Sequence, residues 1–437
     1  MKQNNPATLE TTITKLSHDG RGIAQIKGKT TFIENALPGE TVTFQLTRRH
    51  NKYDEGKAVE IIQPSPDRVE PKCRHFMVCG GCALQHMSHE RQRQLKQEGL
   101  LEQLQHFGGV QPQTVLPPLI GNAWGYRRKA RLGVKYVAKK QTVLVGFREK
   151  NGRYLAELNR CEVLHPSVGA IIEDLKSLIS QLDAYQTLPQ IEVAVSDEST
   201  ALVFRHMEPL SETDQNKLIA FAQQKNIIVY LQPGKPETVH LLWPPQADPL
   251  LYYQLPEHTL TLAFHPTDFT QINTDINRQM VTRAVELLAL KPTDRVLDLF
   301  CGLGNFTLAL ARHCAAVIGV EGATEMVRRA EKNAEINKLT NVQFYAADLA
   351  AETIHAPWMQ LAFDKILLDP PRSGALAIIK QFPKLHPRRI LYISCNPATL
   401  ARDTAELVNQ GYQLLQAGIM DMFPHTHHVE TIAVFAK

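Results

Sequence analysis

From Asp275 onward the chain alternates helix-patterned and strand-patterned segments, and this alternation constrains its fold more than any other feature. Helical stretches at 275–290, 305–313 and 324–337 are interleaved with Arg295-Val-Leu-Asp-Leu-Phe300, Ala316-Val-Ile-Gly-Val320 and Val342-Gln-Phe-Tyr345. Two more β-branched or apolar runs follow, Lys365-Ile-Leu-Leu368 and Ile390-Leu-Tyr-Ile393. Such a pattern predicts an α/β region built on a largely parallel, doubly wound, Rossmann-like sheet. In these sheets ligands sit beyond the carboxyl ends of the strands.

The strand ends carry the chemistry-bearing residues. Asp298-Leu-Phe-Cys-Gly-Leu-Gly-Asn-Phe306 follows the first strand, and Gly302 and Gly304 let the backbone turn tightly against a ligand. The next strand ends in Glu321, where a carboxylate suits a ribose diol. The loop is not G-x-G-x-x-G and offers no pyrophosphate cradle. A nucleoside without phosphates, S-adenosylmethionine, therefore fits better than NAD. Asp348 could accept from an adenine edge or serve as a solvated turn residue. Asp369-Pro-Pro-Arg-Ser-Gly374 aims a carboxylate and a guanidinium at the same crevice from a stiff loop. The last strand delivers Ser394-Cys395-Asn396-Pro397, a thiol at a strand-to-helix junction. Such a thiol can be held as a nucleophilic thiolate, although a lone cysteine is more often a packed core residue.

The front of the chain reads differently. At 437 residues two or three domains are expected. Residues 8–62 show short alternating strands punctuated by Asp19-Gly-Arg-Gly22, Lys27-Gly28 and Pro38-Gly39, the pattern of a small barrel of oligonucleotide-binding type. Pro64-Ser-Pro-Asp-Arg-Val-Glu-Pro71 reads as a linker. A helix is expected over 89–107, and residues 122–262 mix strands with helices at 168–182 and 211–225. Residues 1–170 hold 26 Lys/Arg against 15 Asp/Glu, whereas 171–437 hold 22 against 29. A basic front half suggests a polyanion partner. Arg48-Arg49-His50-Asn51-Lys52-Tyr53 and Tyr126-Arg127-Arg128-Lys129-Ala130-Arg131 each set a tyrosine beside cations, which suits RNA. No apolar run reaches spanning length and no signal-peptide core follows Met1, so a soluble, cytoplasmic chain without membrane contact is expected.

There are seven cysteines, an odd number without a secretory signal, so a disulfide framework is not expected. Cys73, Cys79 and Cys82, with distant Cys161, form a set whose spacing alone cannot separate zinc from [4Fe–4S]. Cys301 and Cys314 read as core thiols.

Several blocks together resemble one family. Asp369-Pro-Pro-Arg-Ser-Gly374, Tyr392-Ile-Ser-Cys-Asn-Pro-Ala-Thr399, Asp421-Met-Phe-Pro-His-Thr-His-His-Val-Glu430 and Phe264-His-Pro-Thr-Asp-Phe-Thr-Gln-Ile-Asn273 look like the signatures of the RNA uracil-5-methyltransferases. Ala36-Leu-Pro-Gly-Glu40 and Pro64-Ser-Pro-Asp-Arg-Val69 are similar to a TRAM domain, a small RNA-binding barrel. The resemblance implies methyl transfer from S-adenosylmethionine to C5 of a specific uracil in 23S ribosomal RNA, through a covalent adduct at uracil C6. By the same match Cys395 is the nucleophile and Glu430 the base. Gln271, Phe300, Asn305, Glu321, Asp348 and Asp369 would contact the methyl donor, and Phe269 the uracil. Cys73, Cys79, Cys82 and Cys161 would hold a [4Fe–4S] cluster. Asp348 departs from the asparagine of the best-known relative but keeps an acceptor.

The implied domains are a TRAM barrel over 1–66, an iron–sulfur domain from 67–88 and 122–264, and a methyltransferase domain from 89–121 and 265–437. No protein partner is implied. The same chemistry on another ribosomal or transfer RNA uracil is the nearest alternative. An iron–sulfur RNA-binding protein without turnover would need a broken catalytic block, yet Cys395 and Glu430 both persist.

Overall fold

The computed structural model describes residues 8–150, 152–351 and 355–437, which form two compact units. The start of the expected barrel domain, residues 1–7, lies outside the described residues.

Unit 1 runs up to Gly99 and includes Phe423–His427. Its strands are β1 (Leu9–Thr12), β2 (Lys15–Leu16), β3 (Gly22–Ile26), β4 (Lys29–Glu34), β5 (Thr41–Arg49) and β6 (Tyr53–Gln63). They form one sheet in the order β1-β5-β6-β4-β3-β2. Along β4 and β5 alternate side chains turn inward, the period of a half-buried strand. Ile33, Val42 and Phe44 thereby join Ile13, Ala24 and Ala36 in the core of this sheet.

The segment after β6, expected to be a linker, is bonded to the sheet domain. Glu40 is fully buried, and its carboxylate accepts from the amides of Leu37 (2.8 Å) and Ser65 (3.1 Å). Arg68 donates to both of its oxygens, at 2.5 and 2.8 Å. Burial alone would raise the Glu40 pKa, but the Arg68 bond and the two amides outweigh it and hold the carboxyl below its usual value.

Unit 2 comprises Leu100–Met422 and His428–Lys437. Helix α1 (His89–Gly108) begins in unit 1 and ends in unit 2. Then follow β7 (Thr114–Val115), β8 (Lys129–Val137), β9 (Thr142–Gly146), α2 (Pro166–Gly169), α3 (Ile172–Ser180), β10 (Gln190–Val195) and β11 (Thr200–Arg205). Next come α4 (Glu212–Lys225), β12 (Ile228–Gln232), β13 (His240–Trp243), β14 (Leu251–Leu255) and β15 (Leu260–Phe264). One sheet has the order β13-β12-β11-β10-β8-β9, and β14 pairs with β15 alone. The helix expected over 168–182 is two helices, α2 and α3.

The remaining elements are α5 (Thr274–Leu288), β16 (Arg295–Leu299), α6 (Thr307–Ala311), β17 (Ala316–Glu321), α7 (Thr324–Ile336), β18 (Val342–Ala346) and β19 (Lys365–Leu368). They end with α8 (Leu376–Ile379), α9 (Phe382–Leu385), β20 (Arg389–Ser394), α10 (Pro397–Asn409), β21 (Gln413–Met420) and β22 (Glu430–Ala436). Their sheet has the order β18-β17-β16-β19-β20-β22-β21-β7. β16 to β20 pair in parallel, as the alternation predicts. β22 runs antiparallel between β20 and β21, a feature not read from the sequence. The parallel strands are buried on both faces, so Leu297, Ile318, Ile366 and Ile390 pack under helices in one core. Among the described residues no helix is long and apolar enough to cross a membrane.

Candidate active site

The site lies along the carboxyl ends of β16, β17, β19 and β20. After β16 the chain turns at once: Phe300 has φ 64°, Gly302 φ 56° and Gly304 φ 93°. A left-handed phenylalanine costs on the order of 1–3 kcal/mol and marks a conformation the surroundings impose. Glu321, ending β17, closes the turn. Its Oε2 accepts from the Gly302 amide (3.1 Å) and its Oε1 from the Ala323 amide (3.1 Å).

Asn305, expected to contact a methyl donor, has its side chain committed. Its Oδ1 accepts from Tyr253 Oη (2.8 Å) and Asn277 Nδ2 (3.0 Å), and its Nδ2 donates to Asn277 Oδ1 (2.9 Å). Asp348 is exposed, and its Oδ1 accepts from the Ala350 amide (2.9 Å) in a turn. It follows β18, three strands from Asp369 in sheet order. Phe269, 69% exposed, and Gln271 lie on the loop between β15 and α5. That loop is pinned by Lys129 Nζ on the Pro266 carbonyl, by the Arg128 amide on Ile272 O (2.9 Å) and by Arg329 on Asp268 (3.2 Å).

Sequence reasoning missed Asp298 as a site residue. It is fully buried, and its Oδ2 accepts from Thr307 Oγ1 at 2.5 Å. Burial pushes its carboxyl up to about 7, and neighbouring Asp369 and Glu321 add to the rise. Removal from water likewise pushes Asp369 to about 7. An acidic residue inside an otherwise apolar strand, as in Val296-Leu-Asp-Leu299, was the available signal.

The thiol and the second carboxylate meet across an antiparallel pair. Ser394 is the register partner of Thr431, so Cys395, just beyond β20, lies beside Glu430, which opens β22. Thr431 Oγ1 donates to Ser394 O (2.9 Å) and fixes that crossing. Asn396 caps α10 by accepting from the Ala398 amide (3.2 Å), and its Nδ2 donates to Arg372 O (3.0 Å). The Asp369–Gly374 loop and the Cys395 loop are thus tied together. Arg372 Nη2 lies 3.2 Å from His428 Nδ1.

Burial pushes the Cys395 thiol up, Glu430 adds to the rise, and Arg372 opposes it. Burial also lifts Glu430 well above the usual carboxylate range, with Asp369 raising it further and Arg372 lowering it. A half-buried thiol beside a carboxyl and a guanidinium is equipped for nucleophilic addition followed by proton removal.

The sulfur set divides between the units. Cys73, Cys79 and Cys82, in unit 1, sit in a run of turns. The Cys73 amide donates to Gln85 Oε1 (3.1 Å), and the Gly81 amide donates to Cys79 Sγ (3.4 Å). An amide on a sulfur favours thiolate, as a metal ligand requires. Cys161 belongs to unit 2. Among the described residues no group of three or more His, Cys, Asp and Glu could hold a metal ion. Cys301 is buried, as expected of a core thiol, whereas Cys314 is only half-buried, its Sγ donating to Leu310 O (3.2 Å).

The second basic cluster is corrected. Tyr126 is 5% exposed, so it offers no stacking face. Arg128 pairs with Asp197 (3.1 Å), and Lys129, pushed down to about 8 by burial, is spent on Pro266. In the first cluster Arg48 and Arg49 are exposed, while Tyr53 stacks on His50 with ring centres 4.3 Å apart.

Comparison with known proteins gives the family of the chain. The tRNA (Uracil-5-)-methyltransferase family matches residues 253–437, and the TRAM domain matches residues 2–59. A 23S rRNA (uracil(1939)-C(5))-methyltransferase of Nitrosococcus oceani is 57% identical over 428 residues, 97% of this chain and 95% of the relative. The chain belongs to the 23S rRNA (uracil-C5)-methyltransferase family. The Alcanivorax borkumensis member of this family is 54% identical over 432 residues, 99% of this chain and 96% of the relative. The fold is shared with the Pyrococcus abyssi tRNA (uracil-54, C5)-methyltransferase solved with S-adenosyl-L-homocysteine. That structure has a TM-score of 0.75 at 23% identity and covers 98% of this chain and 100% of the other. The resemblance drawn from the motif blocks thus holds at the level of the methyltransferase family and the TRAM domain.

Proposed function

We propose that this protein methylates C5 of uracil 1939 in 23S ribosomal RNA, the position named for its relatives, with S-adenosylmethionine as donor. The observation that carries the reading is Cys395 beside Glu430 at the end of a sheet whose neighbouring strand ends hold Glu321 and Asp369. Work on ribosomal RNA makes the cytoplasm its place of action.

The target uracil is flipped out of its stack so that Cys395 can approach C6 perpendicular to the ring, with Phe269 against the base. The Cys395 thiolate adds to C6, forming a C–S bond and placing the displaced electron pair on C5 and O4. The donor supplies an electrophilic methyl group, which C5 takes while the sulfonium electrons stay with sulfur. Glu430 removes the C5 proton, and the freed pair expels the Cys395 thiolate. Arg372 favours the thiolate and the Glu430 carboxylate before these steps. Glu321 receives the ribose hydroxyls; Asp369, Asp348, Gln271, Phe300 and the Asn305 backbone frame the rest of the donor.

Cys73, Cys79, Cys82 and Cys161 are proposed to hold a [4Fe–4S] cluster that shapes the fold. The spacing and the Gly81 amide on Cys79 support this reading. The anaerobic protein should then carry about four irons and four sulfides. Stoichiometric zinc without iron would discard it.

Mass mapping of methylated nucleotides in ribosomal and transfer RNA, after deletion and complementation, tests the target. Loss and return of one methyluridine at position 1939 is expected. Restoration only in transfer RNA would refute the assignment. Trapping with 5-fluorouracil at the target tests the adduct, because fluorine cannot leave as a cation. An equal adduct with Cys395→Ala would falsify the nucleophile.

A further inference from the structure

Away from the strand-end site, unit 2 holds a groove of about 690 Å³ along β8, β9 and the segment after β9. Arg131, Lys135, Lys140, Arg148, Arg153 and Tyr154 line it, with Glu149 the one lining carboxylate among the described residues. Arg131 is paired with Glu192 (2.7 Å) and Lys140 with Glu157 (2.7 Å). Among the described residues Lys135, Arg148 and Arg153 carry no ion pair, and all three are exposed. Tyr154 is 63% exposed, and the Arg153 guanidinium sits 5.4 Å from its ring centre. An exposed ring beside a cation can stack on a planar group.

The groove is built into the fold. Gly133 and Gly146 are register partners on β8 and β9. A Cβ on Gly133 would stand 2.7 Å from Leu155, and one on Gly146 2.6 Å from Leu158. The missing side chains let these leucines lie across the strands. On the two sides of the turn carrying Arg148, Arg153 and Tyr154, the Ala156 amide donates to Phe147 O (2.9 Å) and the Glu149 amide to Tyr154 O (2.9 Å). β8 also leads to the candidate site. It starts at Lys129, which holds the loop bearing Phe269, and Lys135 lies about 20 Å farther along the strand.

We propose that this groove binds a single-stranded RNA segment flanking the target uracil, with Lys135, Arg148 and Arg153 on phosphates and Tyr154 under a base. Cations following a backbone beside an exposed aromatic platform are the physical requirement for single-stranded RNA. The inference rests on the RNA-methylating function above and adds a second anchoring site to it.

The full chain with Lys135→Gln, Arg148→Gln and Arg153→Gln together is compared with wild type. The substrates are a ribosomal RNA fragment extending well beyond the target and a minimal stem-loop bearing the same uracil. All three side chains are exposed, so the variant should fold, as circular dichroism and S-adenosylmethionine binding will show. The slope of log K against log salt for the long RNA should fall by about two, as expected for three single-strand phosphate contacts. The KM advantage of the long RNA over the stem-loop should be lost. Tyr154→Ala should weaken the long RNA about tenfold, and Tyr154→Phe should restore it.

An unchanged salt slope and an unchanged long-to-short ratio would overturn the inference. So would a groove that captures an acidic protein while RNA binding stays intact. If wild type methylates neither RNA, the proposed function fails; if wild type methylates both and the variant keeps the preference, only the groove fails.

Discussion

Two buried glutamates carry opposite burdens. Glu40 in unit 1 meets two amides and a bidentate arginine, and its pKa is lowered. Glu430 in unit 2 is almost as buried, and its pKa is raised well above the ordinary value. The first is a carboxylate that unit 1 needs charged. The second is a carboxyl kept short of compensation, ready to exchange a proton. Burial is common to both; the supply of donors decides whether a buried acid stabilises the fold or stores reactivity.

The comparison breaks most visibly in catalysis. Glu430→Gln should lower turnover by about 10²- to 10⁴-fold. Because addition and methyl transfer need no base at C5, it should also accumulate a covalent complex with ordinary RNA, seen as a denaturation-resistant band carrying the methyl group. Cys395→Ala should form neither product nor adduct. Normal turnover by Glu430→Gln together with a trapped complex in His428→Ala would move the base to His428.

Stability should respond in the opposite order. Glu40→Ala leaves Arg68 without its buried partner and should cost about 3 kcal/mol in urea or thermal unfolding. Glu430→Gln should stabilise the protein at neutral pH. The pH dependence sets the signs. Glu40, with its lowered pKa, contributes stability above the unfolded value of roughly 4.3 and loses it as pH falls through its folded value. Glu430, with its raised pKa, costs stability as pH rises from roughly 4.3 toward its folded value. The advantage of Glu430→Gln should therefore vanish in acid, and a pH-independent difference would refute the contrast.

Arg372 tunes the same site more gently. Arg372→Ala removes the cation that opposes the rise of the Cys395 pKa. The 5-fluorouracil trapping rate should then climb at higher pH than in wild type. At neutral pH it should be roughly tenfold slower, the equivalent of one pKa unit. An unshifted profile would mean that Arg372 does not face the thiol in solution. The smallest effect is expected at Asp348, whose carboxylate serves a turn. Asp348→Asn keeps an acceptor and should change S-adenosylmethionine affinity by less than about threefold by calorimetry, under ~0.7 kcal/mol.

Local pattern alone determined much of this protein. The alternation after Asp275 specified the parallel strands β16 to β20, because strand and helix periods differ and parallel strands need crossovers. The motif blocks named the family, since a thiol, a carboxylate and stiff strand-end loops keep their residue types wherever their chemistry is required. Long-range partners were decided only in three dimensions. Nothing near Tyr126–Arg131 in sequence announces that Asp197 takes Arg128 or that Pro266 takes Lys129. Pro64–Pro71 has a linker's composition, yet Glu40 holds it through Arg68. The sequence offered Asn305 as a candidate site residue but not its pairing with Asn277, nor the insertion of β22 beside β20 that brings Glu430 to Cys395. Composition and periodicity report what a segment prefers; burial and charge pairing depend on which distant segment arrives beside it, and that is settled by packing.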